Sequence, residues 1–103
     1  MKIIQELADR MSEEIEDAER YAKDAIAWKD NNKSLADTFY KLSLDEMSHM
    51  SALHGEITKI IEDYRKTNGE PPKPMMAVYE YLHGKQIDKA AIVKALQSSY
   101  KGG

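Results

Sequence analysis

The sequence contains no cysteine, which excludes disulfide bonds, zinc ribbons and a thiol nucleophile. No apolar stretch approaches the length of a membrane span. The chain also lacks an excess of basic residues, because 15 Lys and Arg stand against 18 Asp and Glu and the net charge is −3. This charge balance gives no electrostatic reason to expect binding to nucleic acid or to an anionic membrane surface.

The composition is that of a single soluble helical domain. The chain has 103 residues, of which 42% are hydrophobic and 32% are charged, and this mixture is typical of a folded protein. The opening stretch MKIIQELADRMSEE turns acidic before a long apolar core could form. We therefore expect no signal peptide and a cytoplasmic location.

Two long helices are predicted for the first two-thirds of the chain. Apolar residues at alternating spacings of three and four indicate one helix over about residues 3–30 and a second that ends near residue 66 or 67. The polar run Asp30–Asn32 predicts a turn between them, and Ser34 is the expected N-cap of a capping box with Asp37. A short turn between long helices predicts an antiparallel helical hairpin over residues 1–69.

The last third of the chain is predicted to be helical and to belong to the same domain. Residues 70–74 hold all three prolines and are expected to form a connector that is not helical. Beyond them, residues 75–83 and 88–100 follow helical patterns, so the C-terminal segment over 75–103 forms one or two shorter helices. Gly84 can lie inside one helix or divide two, and a break or kink there is the favoured interpretation. The expected core positions are Val78, Leu82, Ile87, Ala90, Val93 and Leu96, together with Trp28 and Phe39 near the turn. The whole chain is therefore predicted to be all-α.

Three polar residues interrupt helix faces that are otherwise apolar. Glu14 lies on such a face of the first helix, and Glu46 and His49 lie on one of the second. Burying an isolated carboxylate is costly, so a Glu in this position is usually protonated, paired or bound to a metal. The two faces consist of Leu7, Met11, Glu14, Ala18, Tyr21, Ala25 and Trp28, and of Leu35, Phe39, Leu42, Glu46, His49, Leu53 and Ile60.

The spacing of these three residues predicts a metal site. Glu46 and His49 form a Glu-x-x-His motif, whose separation of three places both side chains on one side of a helix. If the turn is centred between residues 31 and 32, Glu14 and His49 are equally far from it and can meet across the hairpin. Carboxylate oxygens with an imidazole nitrogen suit iron or manganese, and also zinc.

One chain supplies half of the ligands of a carboxylate-bridged two-metal site, which takes two lone Glu and two Glu-x-x-His motifs from four helices. A symmetric homodimer, or a higher homo-oligomer, is the simplest way to complete the set. It would also cover a second apolar stripe on the second helix, for which the C-terminal segment is the other candidate partner. This second stripe consists of Met47, Met50, Ile57 and Ile61.

Residues 13–21 (EEIEDAERY) and 45–49 (DEMSH) together resemble the ferritin-like superfamily of non-haem di-iron carboxylate proteins. The sequence is most similar to the short, half-bundle ferritins of the encapsulated type and more distantly similar to rubrerythrins. No hydrophobic loading extension like that of encapsulated ferritins follows the last helical segment. This difference argues against an encapsulating shell protein as a partner.

The resemblance implies a di-iron cofactor and gives each motif residue a role. It implies that Glu14, Glu46 and His49 are the metal ligands, that Tyr21 lies beside the site, and that Glu13 and Glu16 conduct metal inward. The implied activity is oxidation of Fe(II) by dioxygen or peroxide, and peroxide reduction, as in rubrerythrins, would use the same ligands. The alternative function is a non-catalytic helical interaction or assembly module on a ferritin-like scaffold.

Less specific interpretations stand beside the metal site. The three polar residues can also form a structural polar network without a metal. Glu80 and His83 form a second Glu-x-x-His motif that could complete a site within one chain, although a solvated helix end is the simpler interpretation. His54 is expected to be an interface or partly buried histidine.

Overall fold

The computed structural model describes residues 2–102 and consists of three α-helices. Helix α1 spans Lys2–Trp28, α2 spans Lys33–Asn68 and α3 spans Lys73–Gly102. The prediction of an all-α protein is confirmed. Within residues 2–102, no helix combines the length and the apolar character that crossing a membrane requires.

The three helices lie side by side and give an elongated shape, 55 Å long and 19 by 18 Å across. The start of α1 contacts the end of α2, since Ile4 packs with Ile61. The end of α1 contacts the start of α2, since Ala25 packs with Ala36. Helices α1 and α2 therefore run in opposite directions. Tyr100 also packs with Ala25, so α3 ends where α1 ends and runs parallel to it.

The second apolar stripe on α2 is covered within the chain. At one end of the molecule, Ile57 and Ile61 pack with residues of α1 and with Met75, Met76 and Tyr79 of α3. Farther along, Met47 and Met50 pack against a cluster of Ile15, Ala18 and Val93. Covering this stripe therefore does not require a second copy of the chain.

The far end of α3 is fixed by polar contacts to the turn between α1 and α2. The Tyr100 carbonyl accepts a hydrogen bond of 2.8 Å from Lys29 Nζ. The Tyr100 hydroxyl donates to the Asp37 carboxylate, which also accepts a 3.1 Å bond from Lys33 Nζ. A cation near the last carbonyls of a helix also interacts favourably with the helix dipole.

Two predicted helix starts differ from the structure. The N-cap of α2 is Asn32, whose side-chain oxygen accepts a hydrogen bond of 3.1 Å from the Leu35 N–H, so the prediction of Ser34 as N-cap is wrong. Helix α3 begins at Lys73, so Pro74 lies in its first turn and not in a connector. Proline is tolerated there because the first N–H groups of a helix have no partner within it.

Helix α3 passes through Gly84 without a break, contrary to the prediction. The helix packs along the whole of α1, from Met75 at one end to Tyr100 at the other. That packing outweighs the cost of a helical glycine, about 1 kcal/mol relative to alanine. In the continuous helix some residues predicted to be core face outward. Val78 is 52% exposed and Ile87 is 56% exposed.

The aromatic residues predicted to be core near the turn are only partly enclosed. Trp28, the last residue of α1, is 44% exposed, so its placement in the core is wrong. Phe39 is half-buried and its ring stacks on Tyr21 with centroids 6.1 Å apart. Both residues lie on the side of α1 and α2 that α3 does not cover.

The continuity of α3 leads to a testable prediction. Gly84→Ala is expected to raise the free energy of unfolding by about 1 kcal/mol, the helix-propensity difference between the two residues. A Cβ at this position has no neighbouring atom within 4 Å, so no steric cost offsets the gain. Chemical denaturation of the two proteins measures the difference.

Gly69→Ala is the control for this prediction. Gly69 is the C-cap of α2 with a φ of 78°, a conformation that L-residues adopt at a cost. Because its ψ of −157° lies in a region essentially restricted to glycine, this substitution is expected to destabilise the protein by about 1–3 kcal/mol. A loss of stability at Gly84 comparable to that at Gly69 would show that the helix does break there.

Candidate metal centre

Glu14, Glu46 and His49 meet between α1 and α2. His49 Nδ1 lies 3.3 Å from a carboxylate oxygen of Glu14 and 3.8 Å from one of Glu46. One potential ligand atom from each of the three residues lies within 4.8 Å of the others. The structure therefore brings together the three residues that the sequence singled out.

The donor set and its spacing fit a transition-metal ion. Ligand atoms about 2.0–2.2 Å from one ion lie roughly 3–4 Å from each other. The distances among the three side chains need only small rotations to reach that spacing. Two carboxylates and one imidazole also offer the oxygen and nitrogen donors that iron, manganese and zinc accept.

The three side chains differ in exposure. The side chain of Glu46 is 19% exposed and that of Glu14 is 27% exposed, whereas that of His49 is 58% exposed. Glu14 lies at the edge of the buried stripe of α1 because α3 packs against the opposite side of this helix. The buried positions of α1 are Ile4, Ala8, Met11, Ile15, Ala18, Ala22 and Ala25.

The carboxyl of Glu46 is strongly perturbed by its neighbours. A hydrogen-bonding contact with Glu14 raises the pKa of Glu46 to about 7, and burial and the charge of Glu14 act in the same direction. The nearby His49 opposes them, and Asp17 adds a smaller raising effect. Two carboxyls this close disfavour a second negative charge unless a cation lies between them.

This pKa predicts how Glu46 affects the stability of the metal-free protein. A carboxyl whose pKa is raised in the folded protein lowers the stability of the fold as the pH rises. The loss occurs between 4.5, the ordinary pKa of the carboxyl, and about 7, its pKa in the folded protein. Glu46→Gln mimics the protonated form, so it is expected to raise the free energy of unfolding at about pH 7.5 by about 1 kcal/mol, allowing for solvent screening.

Denaturation curves across the pH range test this expectation. Below pH 4.5, where Glu46 is protonated in both folded and unfolded chains, the variant and the wild type should have equal stability. Glu62→Gln, a substitution at an exposed position of the same helix, should change stability at neither pH. A stability difference for Glu46→Gln that does not depend on pH would contradict the raised pKa.

The other predicted site residues lie outside the cluster of Glu14, Glu46 and His49. Glu13 and Glu16 are exposed on α1. Tyr21, two turns beyond Glu14, is half-buried against Phe39. The second Glu-x-x-His motif does not join the three ligands, since the ring of His83 stacks on His54 of α2.

Two features near the centre were not predicted from the sequence. Asp17 follows Glu14 by three residues and contributes to the raised pKa of Glu46, so the spacing could have indicated it. Ser43, one turn before Glu46, is buried and donates a 2.7 Å hydrogen bond to the Ala18 carbonyl. Its oxygen accepts a 2.9 Å bond from Gln97 Nε2, a contact with α3 that no local pattern indicates.

The centre lies on a surface that we name the open face. Ser12 and Glu19 of α1 contact α3 through Gln86 and Lys89. Glu14 and Tyr21 follow these two residues by two positions, about 200° around a helix, so they lie on nearly the opposite side. The open face comprises Leu7, Glu14, Tyr21 and Trp28 of α1 and Phe39, Leu42, Glu46, His49 and Leu53 of α2, all half-buried or exposed.

No protein-family model, curated protein or solved structure matches this chain.

Proposed function

We propose that this protein binds a pair of iron ions through Glu14, Glu46 and His49 and acts as a ferritin-like ferroxidase. The observation that carries the proposal is the convergence of two carboxylates and an imidazole from α1 and α2. Their proximity and burial raise the pKa of Glu46 to about 7. Clustered acids without a cation are costly, so this arrangement favours a cation between them.

A bound pair of iron ions would supply redox chemistry, in which two Fe(II) are oxidised to Fe(III) and their two electrons, with two protons from solvent, reduce dioxygen to hydrogen peroxide or hydrogen peroxide to water. The carboxylates of Glu14 and Glu46 stabilise the higher positive charge of Fe(III) more strongly than that of Fe(II). His49 provides the nitrogen donor. Because Glu46 holds a proton near neutral pH, metal binding at that residue displaces it, and affinity should increase as the pH rises through about 7.

We further propose that two chains form the complete site by placing their open faces together across a twofold axis. A single chain offers three ligands, half of the set that a carboxylate-bridged two-metal site takes from four helices. The side chain of His49 is 58% exposed, so a partner chain placed on the open face would cover the centre. The α1–α2 pair would then be one half of a four-helix ferritin-like bundle, with α3 on its outer side.

A combined mass and metal measurement tests the proposal. Anaerobic Fe(II) is added to the metal-free protein, and native mass spectrometry records the oligomeric state and the number of ions bound. We expect a dimer or a multiple of it with about two ions per two chains, the stoichiometry of a four-helix site. A monomer that binds no iron would exclude both the site and the shared assembly.

The alternative of a non-catalytic interaction module is favoured by one observation. The open face carries Trp28, which is 44% exposed, and the partly exposed Phe39 and Leu42. Such a surface suits a protein partner even without a metal. Assembly of the metal-free chain that persists unchanged in Glu14→Gln and Glu46→Gln variants, with no iron bound by the wild type, would support this second function.

A further inference from the structure

A pair of stacked histidines joins α2 to α3, apart from the metal centre. The rings of His54 and His83 are nearly parallel, with an angle of 5° and centroids 4.7 Å apart. Tyr79 stacks on His83 as well, with centroids 5.7 Å apart. Both histidines are half-buried and line a cavity of about 180 Å³ between the helices.

The arrangement of the two rings is a stack and not a chelate. Each nitrogen lone pair lies in the plane of its own ring, so two parallel rings do not direct their nitrogens at a common point. Among the described residues, no group forms a hydrogen bond with the buried Nδ1 of His83 or with the buried Oε1 of Gln86. These atoms are inaccessible to an ion that enters from solvent.

The surroundings of the stack disfavour charge. Burial lowers the pKa of His83, and His54 lowers it further, whereas Gln86 acts in the opposite direction. Within residues 2–102, neither histidine forms an ion pair with a carboxylate, and Glu80, one turn before His83, is exposed. The groups around the pair are Met11 of α1, Met50 and Ser51 of α2, and Tyr79, Gln86, Ile87 and Ala90 of α3.

Of these surrounding groups only Tyr79 titrates, and burial raises its pKa, so it stays neutral in acid. One proton on the stack leaves a favourable contact between a cationic and a neutral ring. A second proton places two like charges 4.7 Å apart with no counter-charge. The closed stack therefore binds fewer protons than two separated histidines.

We propose that His54 and His83 form an acid-sensitive latch, which holds the middle of α3 against α2 at neutral pH and loosens this contact when both rings are protonated. Protons bind more readily to the open form, so opening is favoured as the pH falls below 6.5, the ordinary histidine value. For one excluded proton, the open population should rise about 30-fold by about pH 5.0. The latch does not depend on a metal bound by Glu14, Glu46 and His49.

Hydrogen exchange of the metal-free, full-length chain tests the latch. The readout is the protection of amides in residues 76–90 of α3 relative to residues 15–25 of α1, corrected for the intrinsic pH dependence of exchange. Between about pH 7.5 and about pH 5.0, the wild-type ratio should fall about 30-fold. In His83→Phe, which keeps a ring in the stack but removes the buried histidine, it should fall less than about threefold. In His54→Phe, where only the burial of His83 disfavours its proton, the fall should be smaller than in the wild type.

Glu62→Gln removes an exposed charge of α2 away from the stack and should keep the wild-type response. An unchanged ratio in the wild type, or an equal fall in His54→Phe, would overturn the proposal. An NMR titration of the wild type gives a second test that needs no variant. Protonation of one ring should shift the titration of the other, and two titrations that are independent of each other would overturn the latch.

Discussion

Glu46→Gln is expected to abolish iron binding and Fe(II) oxidation while leaving the protein folded and, when metal-free, more stable near neutral pH. Removing groups that only hydrogen-bond to metal ligands commonly costs 10–100-fold in affinity, so loss of a ligand should cost roughly 100-fold or more. Glu14→Gln should have a similar effect, because both carboxylates contact the same imidazole. Anaerobic iron titration and the rate of Fe(III) formation measure the loss.

The opposite effects of Glu46→Gln on binding and on stability separate two interpretations of the centre. If the acids form a structural polar network, the wild type should bind no iron and a substitution that removes a partner should destabilise the fold. If they form a metal site, the metal-free variant should gain stability because it no longer has two carboxylates in contact. Acidic residues at functional sites commonly cost stability in this way.

Glu62→Gln is the matched control for the binding experiment. It makes the same chemical change on the same helix at an exposed position outside the open face. Iron affinity and oxidation rate should therefore stay within about twofold of the wild-type values, as expected for a screened surface charge. Equal losses in Glu62→Gln and Glu46→Gln would indicate a general electrostatic effect and contradict a specific site.

Much of the helical structure could be predicted because local signals determine it. Apolar spacing gave α1 and α2 to within about two residues at most ends, the usual uncertainty of helix boundaries. One error arose where tertiary packing competes with a local signal, because contacts along α1 outweigh the low helix propensity of Gly84. The other lay between two local signals, because Asn32 caps α2 although Ser34 fits the capping-box pattern.

The candidate site could be predicted because its residues are related by helix geometry. Glu14 lies 14 residues before the end of α1, and Glu46 and His49 lie 13 and 16 residues after the start of α2, so their meeting needs only two adjacent antiparallel helices. No comparable local pattern indicates which of the two sides of the α1–α2 pair α3 covers. The contacts of His54 with His83 and of Ser43 with Gln97 depend on that choice and were not predictable.

Ile57→Ala is expected to have the largest effect on folding, a loss of roughly 2–5 kcal/mol in the free energy of unfolding. Ile57 is fully buried between residues of α1 and α3, so its truncation removes apolar contacts and leaves a cavity in the core.

Ile87→Ala makes the same change on α3 and is the control. The sequence pattern predicted that Ile87 is a core residue, but in the structure this residue is 56% exposed. There the loss should stay below about 0.5 kcal/mol, because alanine also has the higher helix propensity. Urea denaturation measures both values, and comparable losses at the two positions would mean that α3 packs with a different face toward α1 and α2.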